Sequence, residues 1–420
     1  MRSSTRRFKF RSIAANDSNF PVTIVTPEDG YFIHNFFDVR PWSPSERLLA
    51  CLKLPFQDRT PGPEDEAVVC VIDLEKSEIL NIAPTKGWGL QVGAHICWGP
   101  TDELLYFNDK DGSDVFAVEY NLKTGISRRL SGPVYQIATD GSALYGPSLA
   151  LINHSQNGYG ATIDPGFNCA PALGASDAEG LWRTDVKHNA RVLLFSLRQA
   201  YELLPDKHSF EGGRFIFFHT KLNRQNNRIM QVVRCIFDDG RPENRFIVTM
   251  DMDGNDARIA LPFELWLPQS HHPEWHPDGE HILMNLNLNM MRFSLFNYDG
   301  TDLRLLCPSI RGGGHPSFSL DGNYILTDAY TSETWFVRDN KVPIRLVDVR
   351  NEIESAICYV PTFVQAEHKD SIWKNGNPNE LRCDPHPVWN QRCTKVCFNA
   401  APGARRQVLV ADVADLPIQR

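Results

Sequence analysis

The sequence predicts an all-β fold: a seven-bladed β-propeller, with four-stranded antiparallel blades around a central channel. Two observations carry this expectation. A degenerate motif, His-Pro-x-Trp-x-Pro-Asp-Gly followed by a short apolar run, recurs along the chain. Between its copies, short apolar runs alternate with Gly, Pro, Asn and Asp, which is the grammar of strands joined by tight turns. A repeat too small to bury its own apolar face must stack on its neighbours, and seven copies lie within the blade range of propellers.

Taken in chain order, the first copy is Val39-Arg40-Pro41-Trp42-Ser43-Pro44, with valine in place of the histidine. The second is His95-Ile96-Cys97-Trp98-Gly99-Pro100, and the third begins at Val134 and ends in Asp140-Gly141. A weak fourth copy starts at His219. The fifth and plainest is His272-Pro273-Glu274-Trp275-His276-Pro277-Asp278-Gly279. The sixth is His315-Pro316-Ser317-Phe318, and the seventh His386-Pro387-Val388-Trp389. Apolar runs at residues 104–108, 281–285, 324–327 and 396–399 follow the motif as second strands. One domain over residues 1–420 results, with residues 1–18 as a tail and blades over 19–415. A propeller must hide the edge of its last blade, so residues 22–33 are expected to close the ring with the strand after Arg406. A helix-like patch at residues 197–204 does not alter the class. The two widest gaps hold Asn153 to Gly160 and Trp373 to Pro378, and irregular insertions on a regular scaffold are where function concentrates.

Composition narrows the functional classes. The chain has 420 residues, 43 Lys and Arg against 51 Asp and Glu, and a net charge of −8. That balance excludes the basic footprint of a nucleic-acid binder. No apolar stretch is long enough to span a bilayer, so no membrane partner is expected. The basic N-terminus is not followed by the apolar run of a signal peptide, so a cytoplasmic location is expected, with secretion as the alternative if a leader has been removed. Six of the ten cysteines (Cys51, Cys70, Cys97, Cys235, Cys358 and Cys397) lie in apolar runs, with neither a disulfide framework nor paired CxxC motifs. A reducing compartment follows.

A histidine at one repeat position in five copies points five imidazoles at the channel. His219, His272, His315 and His386 come from consecutive blades and line one side; His95 comes from the other. Neighbouring imidazoles suit a divalent transition metal, zinc first and manganese second, and Cys383, three residues before His386, is an alternative thiolate ligand. The competing reading is that each histidine caps its strand by bonding to a neighbouring blade. His271 and His276 flank the motif and are read as structural, because alternation turns His271 away from the channel. Lys221, Asn223 and Arg224, just after His219, are candidates to bind an anionic sugar.

Several short motifs add a family resemblance. Asp29-Gly30-Tyr31-Phe32-Ile33-His34, the Gly87-Trp88-Gly89-Leu90-Gln91 run before Gly93-Ala94-His95, Gly158-Tyr159-Gly160, and Gly314-His315-Pro316 through Thr327-Asp328 resemble the seven-bladed propeller polysaccharide lyases. The nearest types are the ulvan lyases and, more distantly, the oligogalacturonate lyases. The resemblance implies β-elimination at a uronic acid: a base takes the C5 proton, an acid protonates the departing oxygen, and a cation offsets the carboxylate. It implies His95 as the base or its partner, Tyr159 as the acid and Arg183 as the carboxylate neutraliser. It also implies a metal cluster at the later histidines, structural in the ulvan type and holding the carboxylate in the oligogalacturonate type. The second active-site histidine of ulvan-type enzymes is missing here, where Val115 to Tyr120 stands instead, and His154 is the substitute at hand. The expected substrate is an anionic, uronate-containing oligosaccharide, and the expected state a monomer or weak homo-oligomer. Two other readings stay open: a non-catalytic propeller that binds or scaffolds around a structural ion, and a metal-dependent hydrolase of the lactonase type.

Overall fold

The computed structural model describes residues 5–364 and 381–418. The second gap's segment at residues 373–378 lies outside the described residues. Seven antiparallel sheets of four or five strands form the ring, as the repeat predicts. Each blade starts at the channel with a short inner strand. These are Tyr31–Ile33, Cys97–Trp98, Gln136–Ile137, Gly213–Leu222, His271–Trp275, Ser317–Phe318 and Val388–Trp389. The Pro-Asp-Gly type of turn follows the inner strand in several blades, and Gly141, Gly279 and Gly322 there adopt φ of 73°, 76° and 69°. An L side chain is disfavoured in that conformation, which explains the glycine at the end of the motif.

The N-terminal segment closes the ring. Val22–Ile24 pairs with the last strand, Gln407–Asp412, and Tyr31–Ile33 then opens blade 1. Thus the first part of residues 22–33 completes blade 7 and the second part starts blade 1. Residues 5–18 are not a tail. Thr5–Arg7 pairs with the outer strand of blade 1, Arg11–Ser12 pairs with Val22–Ile24, and Lys341 holds Asp17 at 2.7 Å. Both sheets thereby gain a fifth strand.

The core lies between blades. At the junction of blades 6 and 7, Leu326, Ile344 and Ile357 pack against Val396, Phe398 and Leu409. Complete burial of each such side chain contributes about 1.5–3 kcal/mol. The helix expected near 197–204 is Leu197–Glu202, with Ser196 and Gln199 forming a capping box. A second helix, Leu149–Ser155, was not expected. It sits in the insertion of blade 3 and buries Leu149, Ala150 and Ile152. All ten cysteines are free. No helix among the described residues is long and apolar enough to cross a membrane.

Candidate functional site

The repeated histidine sits just before, or within, the inner strand of its blade, so all five copies face the channel. Three of them share a strained backbone: φ is 49° at His95, 56° at His272 and 48° at His386. In blade 6 the preceding Gly314 takes the positive φ, 61°, and in blade 4 His219 lies at a register shift of the sheet.

The four later histidines do not converge on one point. Phe36, from blade 1, occupies the centre of their ring. Its centroid lies 4.6 Å from His386, 5.0 Å from His219, 5.5 Å from His315 and 5.8 Å from His272. His219 stacks on one side of this ring and pairs through Nδ1 with the Tyr135 hydroxyl. His272, His315 and His386 remain in contact, with centroids 4.0 and 4.3 Å apart.

Two groups among the described residues have the spacing to hold a metal: His276, Asp278 and His281, at the turn after the inner strand of blade 5, and the buried His315, Asp384 and His386 in the channel. In the channel group one donor atom of each residue lies within 4.8 Å of the others. Asp328 organises them. Its carboxylate accepts His315 Nδ1 at 2.9 Å, the His315 backbone N–H at 2.8 Å and the His386 backbone N–H at 3.1 Å. That leaves His315 Nε2, 3.4 Å from the Tyr330 hydroxyl, as the nitrogen for a metal, the usual outer-shell arrangement of a ligating histidine. Neither ring nitrogen of His386 has a hydrogen-bond partner among the described residues, a cost that a bound cation removes. Two imidazoles and a carboxylate fit either zinc or manganese.

Cys383 is not part of this group. It packs with Val364 and Ala401, and burial pushes its thiol up to about 11. Asp384, not Cys383, brings a donor atom beside His386. Arg382 lies on that side too: its Nε bonds Asp384 at 2.6 Å and a terminal nitrogen donates to the Tyr159 hydroxyl at 3.2 Å.

Tyr159 and Arg382 also line a cleft of about 850 Å³, together with His219, His271, His272, Tyr330, Glu333 and three more arginines, Arg234, Arg245 and Arg311. His271 does not turn away as alternation predicts, because the register shifts between His271 and Glu274. Its Nδ1 pairs with the Gln269 carbonyl, its Nε2 is buried without a partner, and burial lowers its pKa to about 4. Burial pushes the Tyr159 hydroxyl up to about 12 and the Glu333 carboxyl up to about 7. Near neutral pH the cleft therefore offers an unprotonated imidazole and a protonated phenol.

The remaining candidates lie elsewhere. His95 is sealed behind Tyr135, whose ring centroid is 4.2 Å away, and it does not line the cleft. Burial lowers its pKa to about 3. Arg183 sits on Gly180–Asp185, the third strand out from the channel, paired with Tyr145 and Val192. His154 is exposed on the insertion helix. Lys221 is buried and engaged by Asp38 at 3.2 Å and Glu274 at 2.7 Å. Asn223 and Arg224 line the opposite mouth of the channel. Among the residues that sequence reasoning passed over, Asp384 was the most accessible, since its two-residue spacing from His386 carries the signal. The arginines, scattered outside the repeat, carry none.

No family model matches the sequence, and no curated relative does. Solved structures match over the whole fold. An oligogalacturonate lyase from Vibrio parahaemolyticus aligns with a TM-score of 0.66 at 12% identity, covering 98% of this chain and 99% of its own. An oligogalacturonate lyase in complex with manganese aligns with a TM-score of 0.67 at 13% identity, covering 98% and 97%. At these identities the likeness establishes a shared propeller fold. Of the two lyase types that the sequence resembles, the oligogalacturonate type is the one these two structures carry.

Proposed function

We propose that the protein is a metal-containing lyase that cleaves a uronate-containing oligosaccharide by β-elimination. One observation carries the reading: an unprotonated histidine, a protonated tyrosine and several guanidiniums share a single cleft, and Arg382 of that cleft bonds Asp384 of the buried His-Asp-His donor group. The two structurally similar oligogalacturonate lyases, one of them in complex with manganese, add support.

His315, Asp384 and His386 would hold a divalent cation, zinc or manganese, whose positive charge would make the proton next to the uronate carboxylate more acidic. Arg382, beside that group, and Arg234, on the facing wall, hold the carboxylate and orient the sugar. His271 Nε2 takes the C5 proton. The C5–H electrons form the C4=C5 double bond, the C4–O4 bond breaks, and the departing oxygen takes the Tyr159 hydroxyl proton. Solvent water then reprotonates Tyr159. Because the Nδ1 of His271 is tied to a backbone carbonyl, Nε2 is the nitrogen with the free lone pair.

Incubation of the metal-loaded protein with oligosaccharides of galacturonate, glucuronate and mannuronate tests this. The expected result is the ultraviolet absorbance of an unsaturated uronate, lost in His271→Ala. No absorbance change across the panel sinks the proposal. A cytoplasmic location is also proposed, supported by the ten free cysteines; a thiol titration of freshly purified protein that finds them oxidised counts against it.

A further inference from the structure

The channel has two mouths, and the cleft occupies one of them. Along the inner strand of blade 5, His271 and His272 line the cleft, whereas Glu274 and Trp275 line a cavity of about 250 Å³ at the other end. No residue lines both. We propose that this far mouth is a second binding site, for a small oxyanion: the phosphate of a phosphorylated small molecule or the carboxylate of a sugar acid.

Donors without acceptors carry the inference. Arg40 and Arg224 stand exposed at the rim of the cavity, and neither makes a hydrogen bond or ion pair with a described residue. Two carboxylates, Asp38 and Glu274, line the same cavity, and both pair with Lys221, at 3.2 and 2.7 Å, whereas Glu46 holds Arg392 at 2.7 Å. A second, independent sign is Trp389, which lines the same cavity. It is buried, and its indole N–H has no acceptor among the described residues.

Guanidinium and indole groups only donate hydrogen bonds, so their ligand must be rich in acceptors and negatively charged. The volume falls just below the roughly 300 Å³ at which pockets for drug-sized ligands begin, which suits one small molecule and not a polymer chain. Trp275 and Trp389 are also among the residues that line the cavity. This proposal does not depend on the chemistry of the cleft.

Calorimetric titration with inorganic phosphate and, separately, with galacturonate tests it. The background is Arg234→Gln/Arg382→Gln, which weakens anion binding in the cleft. One anion should bind there, and adding Arg40→Gln or Arg224→Gln should weaken it at least about tenfold each, the worth of a charge-assisted hydrogen bond. A response to phosphate alone assigns a phosphate ester, and one to galacturonate alone a sugar acid. As a check independent of these substitutions, the indole N–H resonance of Trp389, assigned with Trp389→Phe, should shift in the wild-type protein when the anion is added. Affinity indifferent to Arg40 and Arg224, or an unmoved Trp389 resonance at saturating anion, overturns the proposal.

Discussion

Replacing His95 with asparagine should flatten the pH dependence of stability by a calculable amount. The imidazole is 1% exposed, neither ring nitrogen has a partner among the described residues, and burial holds its pKa at about 3. In the unfolded chain the value returns to about 6.5. A histidine whose folded pKa lies below its unfolded one binds fewer protons when folded. Its stabilising contribution is therefore complete above the unfolded pKa and is lost as pH falls towards the folded one. Integrating between about pH 7.5 and about pH 5 gives a loss of about 2 kcal/mol from His95 alone. The unfolded pKa sets that figure, because pH 5 still lies well above 3. Asparagine does not titrate and tolerates the left-handed backbone at this position, so its other costs are the same at both pH values. Urea unfolding of wild type and variant at the two pH values reads the difference of differences. Parallel pH dependences, or a His95 resonance that titrates near 6 in the folded protein, would refute the reasoning. Because His95 does not line the cleft, His95→Asn is also expected to keep its turnover.

Three further outcomes follow from the geometry. Asp328→Asn puts an amide N–H against at least one buried donor that the carboxylate now accepts, costing about 1–3 kcal/mol in urea unfolding and lowering metal affinity about 10–100-fold by equilibrium dialysis; unchanged metal affinity removes Asp328 from the site. Tyr159→Phe should lower kcat by about 10²-fold or more with little change in KM, since it deletes a proton donor and keeps the ring; an unaltered kcat excludes it as the acid. Phe36→Ala should cost about 3–5 kcal/mol in urea unfolding, because the ring fills the centre of the histidine cluster; a loss below about 1 kcal/mol shows that the cluster holds together without it.

Much of the fold is visible in the repeat, because a blade is built from local signals: an apolar run, a turn glycine, an aromatic at fixed spacing. The site is less visible, for reasons that differ by residue. Distance from the channel depends on the order of a strand within its blade. Arg183 lies in a conspicuous insertion-flanked motif yet sits on the third strand, about two strand spacings, roughly 10 Å, from the innermost. Phe36 comes from the one stretch of blade 1 that the motif does not cover, so nothing in the register announced that it would divide the histidines. Lys221 follows His219 closely enough to suggest a shared ligand. However, its buried partners Asp38 and Glu274 are 183 and 53 positions away along the chain, and only the folded ring brings them together.

The repeated histidine itself has two explanations, and the backbone separates them. His95, His272 and His386 share a positive φ, although His95 has no part in the metal group or the cleft. The conformation therefore belongs to the blade, at a cost of about 1–3 kcal/mol per copy. Histidine is among the few non-glycine residues enriched in that region, whereas β-branched residues are strongly disfavoured there. The copies with valine, Val39 and Val134, accordingly do not adopt it. Part of the histidine register is thus a backbone requirement that needs no ion. The part that calls for chemistry is narrower: the copies whose imidazoles meet a second set of groups, Asp328 and Asp384 at one point and Arg382 with Tyr159 beside them. Recurrence located the channel, and the residues that do not recur mark where along it the chemistry lies.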